Sequence, residues 1–229
     1  MVTFNSESRE LAVKVVYYGP ALSGKTTNLQ ALFQKIDPKV RGRLMTIDTK
    51  DDRTLFFDMM PVFFRTSTGV RVKLKLYTVP GQVMHESTRR IVLQGTDAVV
   101  FVADARRSEG GPTLAYWNNM LRNLEANGLD PRALPIVIQK NKMDLPDLRD
   151  DDFEDLRQGA SAPVVPAVAI RGEGVVETLH VLLQACYRDL EQRVGLGSRW
   201  HVAEKDFLEG IFSHVDVKGS RLAAAGTGT

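Results

Sequence analysis

Apolar positions fall along this chain in short runs that switch between the period of a strand and the period of a helix. Leu11-Ala12-Val13-Lys14-Val15-Val16-Tyr17-Tyr18 is a compact apolar run and predicts a buried strand. Residues 25–36 follow as a helix, closed where Asp37-Pro38 cannot continue it. Residues 39–58 are mixed and polar with little periodicity, so a long loop is expected there. Pro61 to Arg65, a turn at Ser67-Thr68-Gly69, and Val70 to Tyr77 read as a β-hairpin. In its second strand Val70, Val72, Leu74 and Leu76 alternate with Arg71, Lys73, Lys75 and Tyr77, so one face is core and the cations line a solvated face.

Residues 83–95 are helical in part. Ala98 to Ala103 is a continuous apolar run, as expected of a parallel strand buried on both faces. Thr113 to Asn127 is a helix that starts at Pro112 and stops at Gly128. Leu134 to Gln139 is the next buried strand, Asp151 to Gln158 a short acidic helix, and Val164 to Ile170 a final strand. Gly174 to Val194 is a long amphipathic helix with Val175, Leu179, Leu182, Leu183, Cys186 and Leu190 on one side. Strand alternates with helix almost throughout. That pattern predicts an α/β fold with a doubly wound, mostly parallel sheet and a ligand at the carboxyl ends of its strands.

The pattern also divides the chain. Residues 1–194 form the main unit. Gly195-Leu196-Gly197-Ser198 reads as a hinge, and Trp200, Phe207, Leu208, Ile211, Phe212 and Val215 then recur at helical spacing, giving an amphipathic extension over 195–218. This helix is expected to pack on its own domain, the alternative being a partner or membrane surface. Truncation after Val194 is expected to leave ligand binding by the main unit intact. Residues 219–229 have the composition of a disordered tail.

Composition narrows the function classes. A net charge of +2 in 229 residues gives no electrostatic case for nucleic acid or an acidic membrane. The single cysteine, Cys186, excludes an internal disulfide framework and suits a reducing compartment. No apolar run reaches the length of a membrane span, the N-terminus lacks a signal peptide, and Val2 excludes N-myristoylation, so a cytoplasmic protein without integral membrane association is expected.

Two motifs carry the candidate chemistry. Gly19-Pro20-Ala21-Leu22-Ser23-Gly24-Lys25-Thr26 fits G-x-x-x-x-G-K-[ST] at every fixed position, between a strand and a helix that continues through Thr27. Glycines let successive N–H groups turn inward, and the helix N-terminus adds positive charge, as a polyphosphate requires. Lys25 is placed to reach the β- and γ-phosphates and the Thr26 hydroxyl to ligate Mg²⁺. The second motif, Asn141-Lys142-Met143-Asp144, follows an apolar strand. A carboxylate at its last position can accept hydrogen bonds from guanine N1–H and its exocyclic amine. Adenine offers neither donor there, and a site built for such a pair rejects the analogue that lacks it.

Both motifs together resemble the Ras-like small GTPases, and so imply their phosphate-loop G-domain fold. Tyr17-Tyr18-Gly19-Pro20, Asp52-Arg53-Thr54-Leu55-Phe56-Phe57-Asp58 and Leu76-Tyr77-Thr78-Val79-Pro80-Gly81-Gln82-Val83 narrow the resemblance to the bacterial MglA family, over residues 1 to about 194. The resemblance implies that GTP and GDP bind with Mg²⁺, that Gly81 N–H senses the γ-phosphate, and that Gln82 orients the attacking water. It implies an arginine finger from the chain's own first switch at Arg53, beside Thr54 as a second Mg²⁺ ligand. Thr78 stands where Ras-like proteins carry an aspartate, a departure shared with the MglA family. Val168, Ala169 and Ile170 are expected at the guanine, with Ala169 N–H toward O6 and Ile170 covering the base. Ala21 replaces a second glycine usual in the family, and its methyl is expected to crowd Gln82 and Arg53 and to slow hydrolysis.

The resemblance also implies two switch segments, residues 41–60 and 78–90, held by γ-phosphate and Mg²⁺ and released by hydrolysis. Its implied partners are an MglB-like roadblock-fold activator dimer and effectors at a cell pole; nothing in the residues identifies an exchange factor. The first reading is therefore a GTP-hydrolysing switch in motility or polarity. Ala21 and Thr78 favour a second one, a GTP-bound scaffold that hardly turns over, while Gln82 and Arg53 oppose it. A small-molecule kinase using ATP is disfavoured by Asn141 to Asp144.

Overall fold

The computed structural model describes residues 3–5, 8–48, 56–157 and 162–217. Arg53, Thr54 and the tail over 219–229 lie outside the described residues. In chain order the elements are β1 (Thr3–Asn5), β2 (Glu10–Tyr18), α1 (Lys25–Lys35), β3 (Met45–Asp48), β4 (Phe56–Arg65), β5 (Arg71–Thr78), α2 (Glu86–Leu93), β6 (Ala98–Asp104) and α3 (Gly110–Ala126). They continue with β7 (Ile136–Asn141), α4 (Glu154–Arg157), β8 (Val164–Pro166), α5 (Val175–Val194) and α6 (Glu204–Phe212).

Among the described residues the sheet has eight strands in the order β3-β4-β5-β2-β6-β7-β8, with β1 paired to the start of β2. Pairing from β5 through β8 is parallel, and β4 runs antiparallel to both its neighbours, β3 and β5. Strand alternation sorts the side chains onto two cores. Val13, Val15 and Tyr17 of β2 and Val100 and Val102 of β6 face α1, α5 and α6, whereas Val16, Tyr18, Val99 and Phe101 face α2, α3 and α4. Phe101 meets Trp117 edge to face, with ring centroids 5.0 Å apart. All seven residues of β6 are buried, as a strand covered by helices on both sides requires.

The polar stretch at 39–58 differs from the expected loop. Met45–Asp48 forms β3 and pairs antiparallel with Phe56 to Met59. A four-residue edge strand has too few positions for a period to be legible. Two element ends also shift. The expected strand over 164–170 is strand only to Pro166, and a 3₁₀ turn over Ala169–Arg171 completes it. The helix expected from Thr113 begins at Gly110, because Arg107–Glu109 already winds a 3₁₀ turn into it.

The extension packs on its own domain. Phe207 lies against Phe64 and Tyr187 at centroid distances of 6.0 and 5.9 Å. Residues 195–203 are tied down as well: Glu191 accepts from Gly197 N and Ser198 N, and Tyr187 OH donates to Val202 O at 2.8 Å. Past α6, Asp37 N donates to His214 O and Asp216 N to Lys35 O, so the chain returns to the end of α1. Cys186 is buried in α5, and burial pushes its thiol pKa well above the ordinary value. No helix among the described residues is long and apolar enough to cross a membrane.

Candidate functional site

The site assembles where β2, β5 and β7 release their chains at one end of the sheet. β2 ends at Tyr18 and enters the phosphate loop at Gly19, which has φ +146°. A side chain there would collide with the Val102 carbonyl oxygen, so only glycine lets β2 turn beside β6. Gly24 has φ +106° and caps α1; a Cβ on it would strike Asn141 Nδ2. Leu22 takes φ +60° and is almost fully exposed. Ser23 is buried, and its backbone carbonyl accepts from Asn141 Nδ2 at 2.7 Å.

Asn141 thereby ties three loops together. Its Nδ2 holds the phosphate loop, and its Oδ1 accepts from Ala169 N at 2.9 Å. Gly24→Ala should push this asparagine away and cost about 5- to 150-fold in nucleotide affinity, since one lost buried hydrogen bond is worth about 1–3 kcal/mol. An affinity titration with labelled GDP checks this; unchanged affinity would mean the loop relaxes around the methyl.

The base side of the site continues from Asn141. Lys142 adopts φ +67° and donates to Asp104 Oδ2 at 2.6 Å. Asp104 also accepts from Arg106 Nη2 at 2.7 Å. Burial pushes the Asp104 carboxyl up, but its bonds to Arg106 and Lys142 outweigh this and hold it below the ordinary carboxylate range. Asp144 faces Arg171 at 3.5 Å. Val168 and Ala169 are buried and Ile170 is exposed, so the 168–170 turn presents one aliphatic side chain to solvent.

On the phosphate side Lys25 is buried and donates to Gly19 O at 2.9 Å and Pro20 O at 2.6 Å. Burial above all, reinforced by the nearby Arg89 and opposed by Asp58, pushes its ammonium down to about 7. An anion laid against it would favour the charged form. Gly81 rests on the phosphate loop: a Cβ there would lie 2.5 Å from Ala21 Cα and 2.9 Å from Lys25 Nζ. The segment after β5 thus touches both the loop and its lysine. Gln82 is exposed at the rim, its Oε1 3.2 Å from His85 Nε2. A cavity of about 470 Å³ lies between these walls, lined among others by Ala21, Lys25, Thr26, Thr27, Asp58, Thr78 and Gly81.

Asp58 is the site residue that sequence reasoning missed. Met59 of β4 pairs with Tyr77 of β5, which brings Asp58 and Thr78 next to each other. Asp58 Oδ2 accepts from Thr26 Oγ1 at 2.7 Å and from Thr78 Oγ1 at 3.0 Å, and its Oδ1 accepts from Thr46 Oγ1 at 2.8 Å. Its own N–H donates to Thr78 Oγ1 at 2.9 Å. A buried carboxylate therefore reaches the phosphate-loop threonine from β4, although β5 carries threonine at its end. The available signal was a lone acidic residue inside Phe56-Phe57-Asp58-Met59-Met60. The oxygens of Thr26, Asp58 and Thr78 form a hard donor set that suits Mg²⁺, which binds through one or two carboxylates plus substrate phosphates rather than in an all-protein cage. No cluster of three or more His, Cys, Asp or Glu fit to hold a metal occurs among the described residues.

A phosphate loop after β2, an N-K-x-D box after β7 and a glycine-led segment laid over the loop, on a mostly parallel sheet, define an α/β phosphate-loop GTPase fold. Comparison with known proteins agrees. The mutual gliding-motility protein MglA of Myxococcus xanthus (strain DK1622) is 39% identical over 195 residues, which is 84% of this chain and 99% of that protein. GTPase Obg of Syntrophomonas wolfei is 32% identical over 109 residues, 46% of this chain and 25% of Obg. No family model matches the sequence. The chain belongs to the MglA family of small GTPases.

Proposed function

We propose that this GTPase is a nucleotide-dependent switch, used in gliding motility or cell polarity. The observation that carries the reading is the position of Gly81 against Ala21 and Lys25, where its segment would register a terminal phosphate. Lys25 and the loop N–H groups hold the phosphates, and Asp144, Lys142 and the 168–170 turn hold the guanine. Thr26, backed by Asp58, would hold Mg²⁺, with Thr54 as the family's second ligand. When bound, the metal would supply charge neutralisation to the phosphates. Gln82 orients the attacking water and Arg53 stabilises charge on the transferring group, so catalysis is positioning plus electrostatics. Gln82 has to leave His85 and turn inward to act, a rotation its exposure permits. An MglB-like dimer is the activator that fits the family, and a cell pole the place where effectors would recruit it.

Single-turnover hydrolysis of bound GTP, alone and with an MglB-like dimer, tests this reading. Loss of an arginine finger or of the water-orienting glutamine typically costs several orders of magnitude, so Arg53→Ala and Gln82→Ala should each drop the stimulated rate by about 10³-fold. Tight GTP binding with no turnover under either condition would instead favour a scaffold held in its GTP state, with Ala21 as its cause.

A further inference from the structure

Two consecutive carbonyls of the second switch are captured by side chains from two different helices. Tyr116 OH, on α3, donates to Gly81 O at 2.7 Å. Arg89 Nη1, on α2, donates to Gln82 O at 2.5 Å. The peptide group is planar, so fixing a carbonyl also fixes the N–H on its far side. The Gln82 main chain is thus aimed by Tyr116 and Arg89, while its side chain is left at the rim beside His85.

The anchors are themselves braced. Arg89 is 2% exposed, and its guanidinium lies 5.3 Å from the centroid of the Tyr116 ring. Its Nε donates to Asn119 Oδ1 at 3.1 Å. That same oxygen accepts from Tyr18 OH at 2.5 Å and Asn123 Nδ2 at 3.2 Å, and Asn119 Nδ2 donates to Glu86 Oε1 at 2.9 Å. Tyr18 is the residue that precedes Gly19. One amide oxygen on α3 therefore braces the entry to the phosphate loop and, through Arg89, the segment laid over it. Burying a guanidinium is costly unless it is well bonded, so this arginine is spent on holding geometry.

We propose that Tyr116 and Arg89 are positioning residues for hydrolysis, which act through the Gly81–Gln82 main chain to set the reach of the Gln82 side chain. This rests on Gln82 acting on the attacking water. It adds that the glutamine needs a fixed platform, built by Tyr116 from α3 outside the switch together with Arg89 from the switch's own helix, α2.

The test is single-turnover GTP hydrolysis by the full chain with Mg²⁺, comparing wild type with Tyr116→Phe, Gln82→Ala and the double variant, alongside GDP dissociation and thermal melting. Tyr116→Phe deletes one hydroxyl. It should slow hydrolysis about tenfold, the value of one hydrogen bond, and leave GDP dissociation within about twofold. The double variant should be no slower than Gln82→Ala, because residues acting through one another do not add. Arg89→Lys, which keeps the charge but loses the planar fork, should show the same split between hydrolysis and GDP release. Wild-type hydrolysis by Tyr116→Phe, while Gln82→Ala is inactive, would overturn this proposal and leave the role of Gln82 standing. Hydrolysis, GDP retention and melting temperature falling together would assign Tyr116 a purely structural role and equally overturn it. If Gln82→Ala hydrolyses like wild type, the role of Gln82 fails first and this proposal with it.

Discussion

Asp58→Asn should release GDP at nearly the same rate whether Mg²⁺ is present or chelated, while the wild-type chain releases it much faster once the metal is removed. The carboxylate touches Thr26, the hydroxyl expected on the metal, and Thr78, which stands where other Ras-like proteins place an aspartate. Charge that β5 lacks is thus supplied from β4. An asparagine is nearly isosteric and can still accept hydrogen bonds through its carbonyl, so the fold should survive while the negative charge is lost. Partners that orient a metal ligand are typically worth about 10–100-fold in metal affinity, and a comparable loss of the Mg²⁺ effect is expected. Fluorescent-GDP release with and without a chelator measures it. If the variant keeps the wild-type response, Asp58 is only a structural anchor for three threonines.

The second large effect lies far from the nucleotide. Truncation after Val194 should destabilise the whole chain rather than merely shorten it. The lost segment carries Leu196, Val202, Phe207, Ile211 and Val215, all buried. Burial of one such side chain contributes about 1.5–3 kcal/mol before the entropy of ordering is subtracted, so a net loss of several kcal/mol is expected. At about 2–4 °C per kcal/mol for a chain of this size, the melting temperature should fall by about 10 °C or more. Phe64 and Tyr187 would also be stripped of Phe207 and left partly exposed. Melting of the truncated and full chains decides it; equal midpoints would mean α6 is dispensable to the fold. The sequence reading, in which the domain ends at Val194, expects the same cut to leave nucleotide binding intact.

The reason for that difference is instructive. A helical period identifies an apolar face but not what covers it, and α6 is covered by β4, far away in sequence, together with the preceding helix α5. Long elements were legible because burial on one or both faces imposes a regular pattern, as in β6 and α5. β3 was not, since four residues at a sheet edge impose none. The phosphate loop and N-K-x-D box were legible for a different reason: their chemistry depends on contiguous backbone. Asp58, Asn119 and Tyr116 do their work through partners on other elements, and only the register of β4 on β5 and the packing of α2 on α3 bring those partners together.

Cys186 offers a practical handle on the motions argued above. It is the sole thiol in the sequence, sealed in α5 with its pKa raised, so the native chain resists maleimide labelling. A cysteine introduced at Ser87, exposed on α2, would become the one reactive position. A fluorophore there rides beside Arg89 and Tyr116, and a change in its polarisation on exchange of GDP for GTP is the result expected of the proposed switch.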